Sequence, residues 1–122
     1  MTLQPVDLFT RALRLSSDGA VTAEERRMAA DAAGWTVAAF HVETNQDVHG
    51  DHWEVHPAAE EAVCVLAGAA RLVLRGNEEP LTLTAGHAYL VPRGRWHRLE
   101  IDGPTDLMSI TLRAGSRLEK RA

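Results

Sequence analysis

Two stretches of the sequence decide its fold: GDHWEVHPAAEEAVCVLAG at residues 50–68 and GHAYLVPRGRWH at residues 86–97. Polar and apolar residues alternate in both, each stretch begins with glycine, and the second turns at the Pro-Arg-Gly of residues 92–94. Alternation of this kind is typical of β-strands that bury one face. Glu61 and His97 then point inward with apolar neighbours, so the two stretches can form two sides of one polar pocket.

The segments around these stretches have the composition of a β protein. They are short and rich in Val, Leu, Ile and Thr, and turns at glycine or proline separate them. The predicted strands are residues 35–43, 52–56, 61–67, 70–75, 81–84, 87–91, 96–101 and 106–112. Many short strands between such turns indicate an all-β sandwich or barrel.

Residues 1–33 have a different pattern, which predicts short helices. Leu8, Ala12 and Leu15 have helical spacing, and the Thr-Ala-Glu-Glu of residues 22–25 fits a capping box at the start of a second helix. That helix is expected to end at the glycine that precedes the β region. We therefore predict an N-terminal helical segment that packs on the β region and covers one face or edge of its sheet.

Length and charge limit the classes of protein that fit. A chain of 122 residues suits one domain, here a β region over residues 34–115 followed by a C-terminal tail at 116–122. The 13 basic and 17 acidic residues give a net charge of −4, which favours neither nucleic acid nor an anionic membrane as a partner. The single cysteine, the absence of a signal-peptide pattern and the absence of a long apolar run predict a cytoplasmic protein.

The alternation of His52, Glu54 and His56 allows all three side chains to face the interior, but they cannot all bind one ion. At about 3.3 Å per residue the outer two lie about 13 Å apart, which is more than ligands about 2 Å from an ion can span. The two residues of this stretch that bind the ion are therefore either His52 and Glu54 or Glu54 and His56. The spacing to Glu61 favours the second pair.

The resulting candidate set has two imidazoles and two carboxylates: Glu54, His56, Glu61 and His97. Such a set suits a divalent transition ion, namely Mn, Fe, Ni or Zn, with open positions for water or a ligand. Two alternatives remain for Glu54, which could instead hydrogen-bond a ligand imidazole or mark a site that no longer binds metal. The four residues could also be ordinary surface groups on alternating strands.

The first stretch resembles motif one of the cupin superfamily. That motif reads glycine, five residues, His-x-His, three or four residues, glutamate, six residues and glycine. Here His56, Glu61 and Gly68 lie on the pattern. Glu54 replaces the first histidine, and Gly50 stands closer to it than the pattern requires.

The second stretch resembles motif two of the same superfamily. That motif reads glycine, five residues, Pro-x-Gly, two residues, histidine, three residues and asparagine. The chain matches it at Gly86, Pro92, Gly94 and His97, and Ile101 stands where the asparagine would be. The resemblance implies a single-domain jelly-roll barrel, also called a double-stranded β-helix, with the metal set above in its interior.

Two functions are compatible with this resemblance. One is a metal-dependent enzyme that acts on a small organic molecule, with dioxygenase- or isomerase-like chemistry. The alternative is a non-catalytic cupin that binds or senses a small molecule. His52 is the candidate catalytic acid or base in the pocket, and it could equally be a partly exposed histidine near a turn.

The strand at residues 61–67 has apolar side chains on both of its faces. Val63 and Val65 follow Glu61 into the interior, whereas Ala62, Cys64 and Leu66 point outward. Exposed apolar patches of this kind mark interfaces, and single-domain cupins commonly pair through their sheets, as the resemblance implies. We therefore expect a homodimer.

Overall fold

Two antiparallel sheets pack face to face in the computed structural model, which describes residues 3–26 and 34–122. The strands are β1 (Arg11–Leu15), β2 (Val21–Glu25), β3 (Trp35–Val42), β4 (His52–Val55), β5 (Glu61–Ala67), β6 (Ala69–Leu74), β7 (Asn77–Thr84), β8 (Ala88–Val91), β9 (His97–Glu100), β10 (Thr105–Leu112) and β11 (Arg117–Lys120). The larger sheet has the order β2-β1-β3-β10-β5-β8, and the smaller has the order β11-β4-β9-β6-β7. A 3-10 turn, Asn45–Val48, precedes β4.

The core lies between the sheets and contains the inward side chains of both. Its buried cluster consists of Val42, Val63, Val65, Ala70, Leu72, Leu83, Val91, Ile101 and Leu107. On β5 the burial alternates as predicted, because Glu61, Val63 and Val65 are buried whereas Cys64 is only partly so. The eight strand segments predicted from residue 35 onward correspond to β3–β10, and the all-β jelly-roll class is confirmed.

The prediction of short N-terminal helices is wrong. Residues 11–15 and 21–25 form the hairpin β1–β2, and β1 also pairs with β3 through partners such as Leu13 and Val37. One or two helical turns are only marginally stable in water, whereas the open edge of β3 satisfies the backbone of β1 directly. The turn of the hairpin contains Gly19 at φ 93°. The remainder of the predicted second helix, residues 27–33, lies outside the described residues.

The segment that the sequence analysis assigns to a C-terminal tail contains strand β11, which pairs antiparallel with β4. Leu118 lies opposite Glu54 in this pairing, and Arg121 donates a hydrogen bond to the Gly50 carbonyl at 2.8 Å. β11 therefore covers the outer edge of the strand that carries His52 and Glu54. Within the described residues, no helix is long and apolar enough to cross a membrane.

An aromatic residue that packs under two guanidinium groups sets which side of β4 faces outward. Trp53 is only 5% exposed, and the guanidinium carbons of Arg75 and Arg98 lie 5.8 and 5.2 Å from its ring centroid. These are cation–π distances. Because successive residues of a strand point to opposite faces, anchoring Trp53 outside holds Glu54 inside.

Candidate metal centre

The four predicted ligands meet between the two sheets, on or directly after strands β4, β5 and β9. Glu54 lies on β4 and is paired with His97, the first residue of β9. His56 follows the end of β4, and Glu61 begins β5 in the opposite sheet. The two sheets thus contribute to one site, and the cluster predicted from the sequence is present.

The donor atoms of the cluster are close enough to share an ion. His56 Nε2 lies 3.2 Å from Glu61 Oε2 and 3.5 Å from Glu54 Oε1, and His97 Nε2 lies 3.3 Å from Glu61 Oε1. One donor atom from each residue can be chosen so that all lie within 4.8 Å of one another. Ligands about 2.1 Å from an ion lie about 3–4 Å apart, so Glu54, His56, Glu61 and His97 could hold a metal ion after small adjustments.

The hydrogen bonds around the imidazoles leave their Nε2 atoms free for an ion. His97 donates from Nδ1 to the Arg95 carbonyl at 3.1 Å, which leaves a lone pair on Nε2. His56 Nδ1 lies 2.7 Å from Ser116 Oγ, while its Nε2 is buried and has no hydrogen-bond partner among the described residues. A buried polar atom without a partner is costly. The donor set therefore fits a metal, because an ion at this position would satisfy that nitrogen.

Electrostatics in the site are dominated by the two carboxylates facing the two imidazoles. Burial alone would lower the pKa of His56, but the carboxylates of Glu54 and Glu61 outweigh it and raise that pKa to about 9. With its pKa raised in this way, His56 carries a proton at neutral pH, and a metal ion has to displace that proton to bind the ring. Burial would raise the pKa of Glu61, and interactions with His56 and His97 nevertheless hold it far below its usual range. The anionic carboxylate that an ion requires is thus already favoured.

Glu61 is held in place by a buried hydroxyl. Thr111 donates from Oγ1 to Glu61 Oε2 at 2.6 Å, and both residues are almost fully inaccessible to solvent. Glu54 is the most exposed of the four, with 28% of its side chain accessible, and Arg113 Nη1 lies 3.6 Å from its Oε2. Glu61 is therefore rigid, whereas Glu54 faces open space.

That open space is a cavity of about 180 Å³ beside the cluster. Its lining residues are Phe40, Val42, Asp47, Val48, His49, His52, Glu54, Glu61, Val63, His97, Arg98, Leu99, Leu107, Met108, Ser109, Arg113 and Leu118. The accessible surface of its walls is largely apolar, and a smaller number of polar and charged side chains interrupts it. This is the usual composition of a small-molecule site.

His52 lines the cavity but is not part of the ligand cluster. Its Nδ1 lies 2.8 Å from the Asp51 carboxylate, and 30% of its side chain is accessible. An imidazole held by a carboxylate can present its other nitrogen to a ligand in a defined orientation. The structure places His52 on the cavity wall, and its catalytic role stays a prediction.

His49 and Arg113 are among the cavity residues that sequence reasoning missed. His49, which the sequence analysis leaves without a role, adopts a left-handed backbone at φ 52° after the 3-10 turn and lines the cavity. Arg113 follows β10 directly, is 12% exposed and also lines it. Neither has a spacing signal, because a turn conformation and a strand end orient them.

Comparison with known proteins agrees with this geometry. Residues 39–112 match the family model described as the cupin domain. A search of the curated proteins found no match to the sequence.

Solved structures with the same fold include two small proteins. The first is a cupin-2 domain containing protein from Shewanella frigidimarina, 22% identical over 64% of this chain and 70% of that one, with a TM-score of 0.53. The second is a conserved protein with a double-stranded β-helix domain from Klebsiella pneumoniae, 22% identical over 75% and 79% of the two chains, with a TM-score of 0.59. A third neighbour is oxalate decarboxylase of Bacillus subtilis, studied for its Mn(II) centres. It is 20% identical over 72% of this chain and 24% of that one, with a TM-score of 0.53.

Proposed function

The chain belongs to the cupin domain family, and from that premise we propose that it binds one divalent transition ion, Mn, Fe, Ni or Zn, at the base of its cavity. Glu54, His56, Glu61 and His97 are the proposed ligands. The observation that carries the proposal is the convergence of these donors around the buried, unpartnered Nε2 of His56. The cavity beside them takes a small organic molecule.

A metal-dependent enzyme is the function that this arrangement supports best. The ion would supply Lewis-acid chemistry, which polarises a carbonyl, enediol or similar oxygen. Around it, the apolar walls contributed by Phe40, Val63 and Leu107 exclude water and strengthen electrostatic interactions. His52, whose Nδ1 lies 2.8 Å from the Asp51 carboxylate, is the proposed group that takes or returns a proton. Dioxygenase- and isomerase-like reactions both use these elements, and a non-catalytic binding cupin is the second candidate.

Manganese is the first ion to test. Oxalate decarboxylase, a neighbour of the same fold, has Mn(II) centres. The two-carboxylate, two-imidazole set of this chain is chemically suited to that ion. At 20% identity the similarity shows the fold alone, so the substrate of that enzyme is not carried over to this chain.

The metal proposal predicts near-stoichiometric Mn, Fe, Ni or Zn in protein purified without chelator, measured by elemental analysis. His56→Ala and His97→Ala each remove a neutral donor, and Glu61→Gln removes a buried anionic one, so all three should lose tight binding. If Glu54 binds the ion, Glu54→Gln should weaken binding too. Unchanged metal content in Glu54→Gln would make this residue a hydrogen-bond partner of the site instead.

Glu60→Gln is the matched control for these carboxylate variants. Glu60 precedes Glu61 in the chain, but it is exposed and outside the cluster. Its replacement should leave metal content unchanged. Wild-type protein that takes up no divalent ion after incubation with each of the four metals would contradict the proposal.

The enzyme proposal predicts turnover that needs both the metal and His52. The metal-loaded protein would be assayed with 1,3-diketones, catechols, thiols and sugar phosphates, and His52→Ala should lower kcat by roughly 100-fold or more, because a general acid or base contributes about that factor. His87→Ala is the control, since His87 is exposed and does not line the cavity. Tight binding without turnover, unaffected by His52→Ala, would support the binding-module alternative.

We also propose that the protein works as a homodimer in the cytoplasm. The single cysteine, Cys64, lies partly buried on the outward face of β5, and an unpaired thiol suits a reducing compartment. The same outward face carries the apolar surface on which the dimer proposal rests.

A further inference from the structure

Arg113 is a cavity residue whose guanidinium group has unused hydrogen-bonding capacity. Its side chain is 12% exposed, and its nearest charged neighbour among the described residues is Glu54, with Nη1 3.6 Å from Oε2. That separation is an ion pair without a hydrogen bond. Within the described residues, the Arg113 side chain forms no hydrogen bond to the protein. Guanidinium donors in a mostly buried position ordinarily find acceptors.

The other charged groups on the cavity wall already have partners. Asp47 accepts the backbone amides of Glu43 and Thr44 with Oδ2, at 2.9 and 3.2 Å. Arg98 donates from Nη1 to Glu100 at 2.8 Å and lies over the Trp53 ring, although its buried Nε has no hydrogen-bond partner among the described residues. Arg113 differs from Arg98, because within the described residues its guanidinium group forms no hydrogen bond that a ligand would have to displace.

Metal binding would make an anion beside Arg113 more favourable. Once Glu54 and Glu61 coordinate a divalent ion, their two negative charges are neutralised, and Arg113 keeps its positive charge in a largely apolar space. A buried charge that loses its counterion is strongly unfavourable. A singly charged anionic ligand would restore the balance.

We propose that Arg113 binds the carboxylate of a small monocarboxylic acid in this cavity. This inference rests on the metal-binding function proposed above and names the class of its ligand. The planar guanidinium matches a carboxylate in a bidentate pair. The apolar body of the acid lies against Phe40 and Leu107, and an adjacent hydroxyl or carbonyl oxygen faces the cluster. A phosphate dianion fits less well, since it would need a second cation.

The test compares carboxylates with their neutral amides. Binding of acetate, isobutyrate and mandelate, and of acetamide, isobutyramide and mandelamide, is measured by calorimetry on protein loaded with the ion found by elemental analysis. We expect at least one acid, mandelate first because of its hydroxyl and its apolar ring, to bind ten-fold or more tightly than its amide. Arg113→Gln should remove this preference while metal content stays unchanged, and Arg113→Lys should keep part of it.

Arg93→Gln is the matched control, because Arg93 is exposed and does not line the cavity. Two results at full metal content would overturn the inference and leave the metal proposal intact. One is a wild type that binds acids no more tightly than their amides, and the other is an Arg113→Gln variant that keeps the preference for acids. If no ion binds, the metal proposal fails by itself. Binding of the same acids and amides to metal-free protein, in the wild type and in Arg113→Gln, then tests whether Arg113 binds a carboxylate. If one variant does not fold, the comparison of acids with amides in the wild type still tests the inference.

Discussion

At the scale of single residues, the site depends on two hydroxyl groups as well as on its ligands. Thr111 donates to Glu61 at 2.6 Å, and Ser116 lies 2.7 Å from the Nδ1 of His56. Such outer hydrogen bonds fix the orientation of ligands and tune their basicity. The arrangement of the donors is therefore set partly by residues that never touch the ion.

Removing either hydroxyl should weaken metal binding without emptying the site. We expect Thr111→Val and Ser116→Ala each to lower metal affinity by about 10- to 100-fold, measured by competition with a chromogenic chelator. Ser17→Ala, at an exposed serine outside the site, should change nothing. Wild-type affinity in both variants would show that the four ligands are oriented by the strands alone.

The cluster of four possible ligands was predictable from the sequence, and the hydroxyl groups that contact it were not. Glu54, His56 and Glu61 belong to one short stretch with strand alternation, so their spacing alone limits which of them can share an ion. Thr111 and Ser116 lie 50 and 60 positions away from their partners and follow no spacing rule. Contacts of this kind depend on how the two sheets are registered, which local sequence does not encode.

At the scale of elements, the strands were predictable where burial alternates. β5 is an example, because each second side chain enters the core. β11 is the opposite case, since all four of its side chains are exposed and it has no alternation to detect. β1 and β2 also have mixed patterns, and only pairing with the edge of β3 distinguishes a hairpin from short helices. Elements formed by edge pairing therefore need tertiary information.

The turn between β5 and β6 requires glycine for two reasons. Gly68 has φ 82°, and a Cβ atom there would lie 2.6 Å from the Pro104 carbonyl oxygen. Gly86 has a similar φ of 85°, but a Cβ atom there would meet nothing within 4 Å. Substitution of Gly86 therefore tests backbone strain alone, whereas substitution of Gly68 adds a steric contact.

Gly68→Ala should be clearly more destabilising than Gly86→Ala. Both variants place a side chain in the left-handed region, which costs about 1–3 kcal/mol. Gly68→Ala must also displace the backbone at Pro104 and Thr105. The free energy of unfolding, from urea titration of metal-free protein, measures the difference. Equal losses in the two variants would show that the contact with Pro104 relaxes at no cost.

At the scale of the whole molecule, the outward face of the larger sheet is apolar across its strands. Directly paired residues point the same way, and the register places Leu15, Trp35 and Leu112 in one row. The pairings of β5 with its two neighbours place further apolar residues on this face: Ala62, Cys64, Ala88, Leu90 and Ile110. An apolar face that spans a sheet is typical of an interface.

The dimer proposal predicts that one charge on this face separates the protomers. Leu90 is 68% exposed, so Leu90→Lys should leave each protomer folded while it places a desolvated charge in a paired interface. Light scattering at tens of micromolar should give twice the chain mass of 13.3 kDa for the wild type and a mass close to the single chain for the variant. Leu3→Lys is the control, because Leu3 is 87% exposed and belongs to no strand of this sheet, so the dimer of this variant should persist.

A wild type with the mass of a single chain would contradict the dimer proposal. A dimer that persists in Leu90→Lys would show that the interface lies elsewhere on the molecule. Metal content should be the same in monomer and dimer, because the four ligands of each site come from one chain.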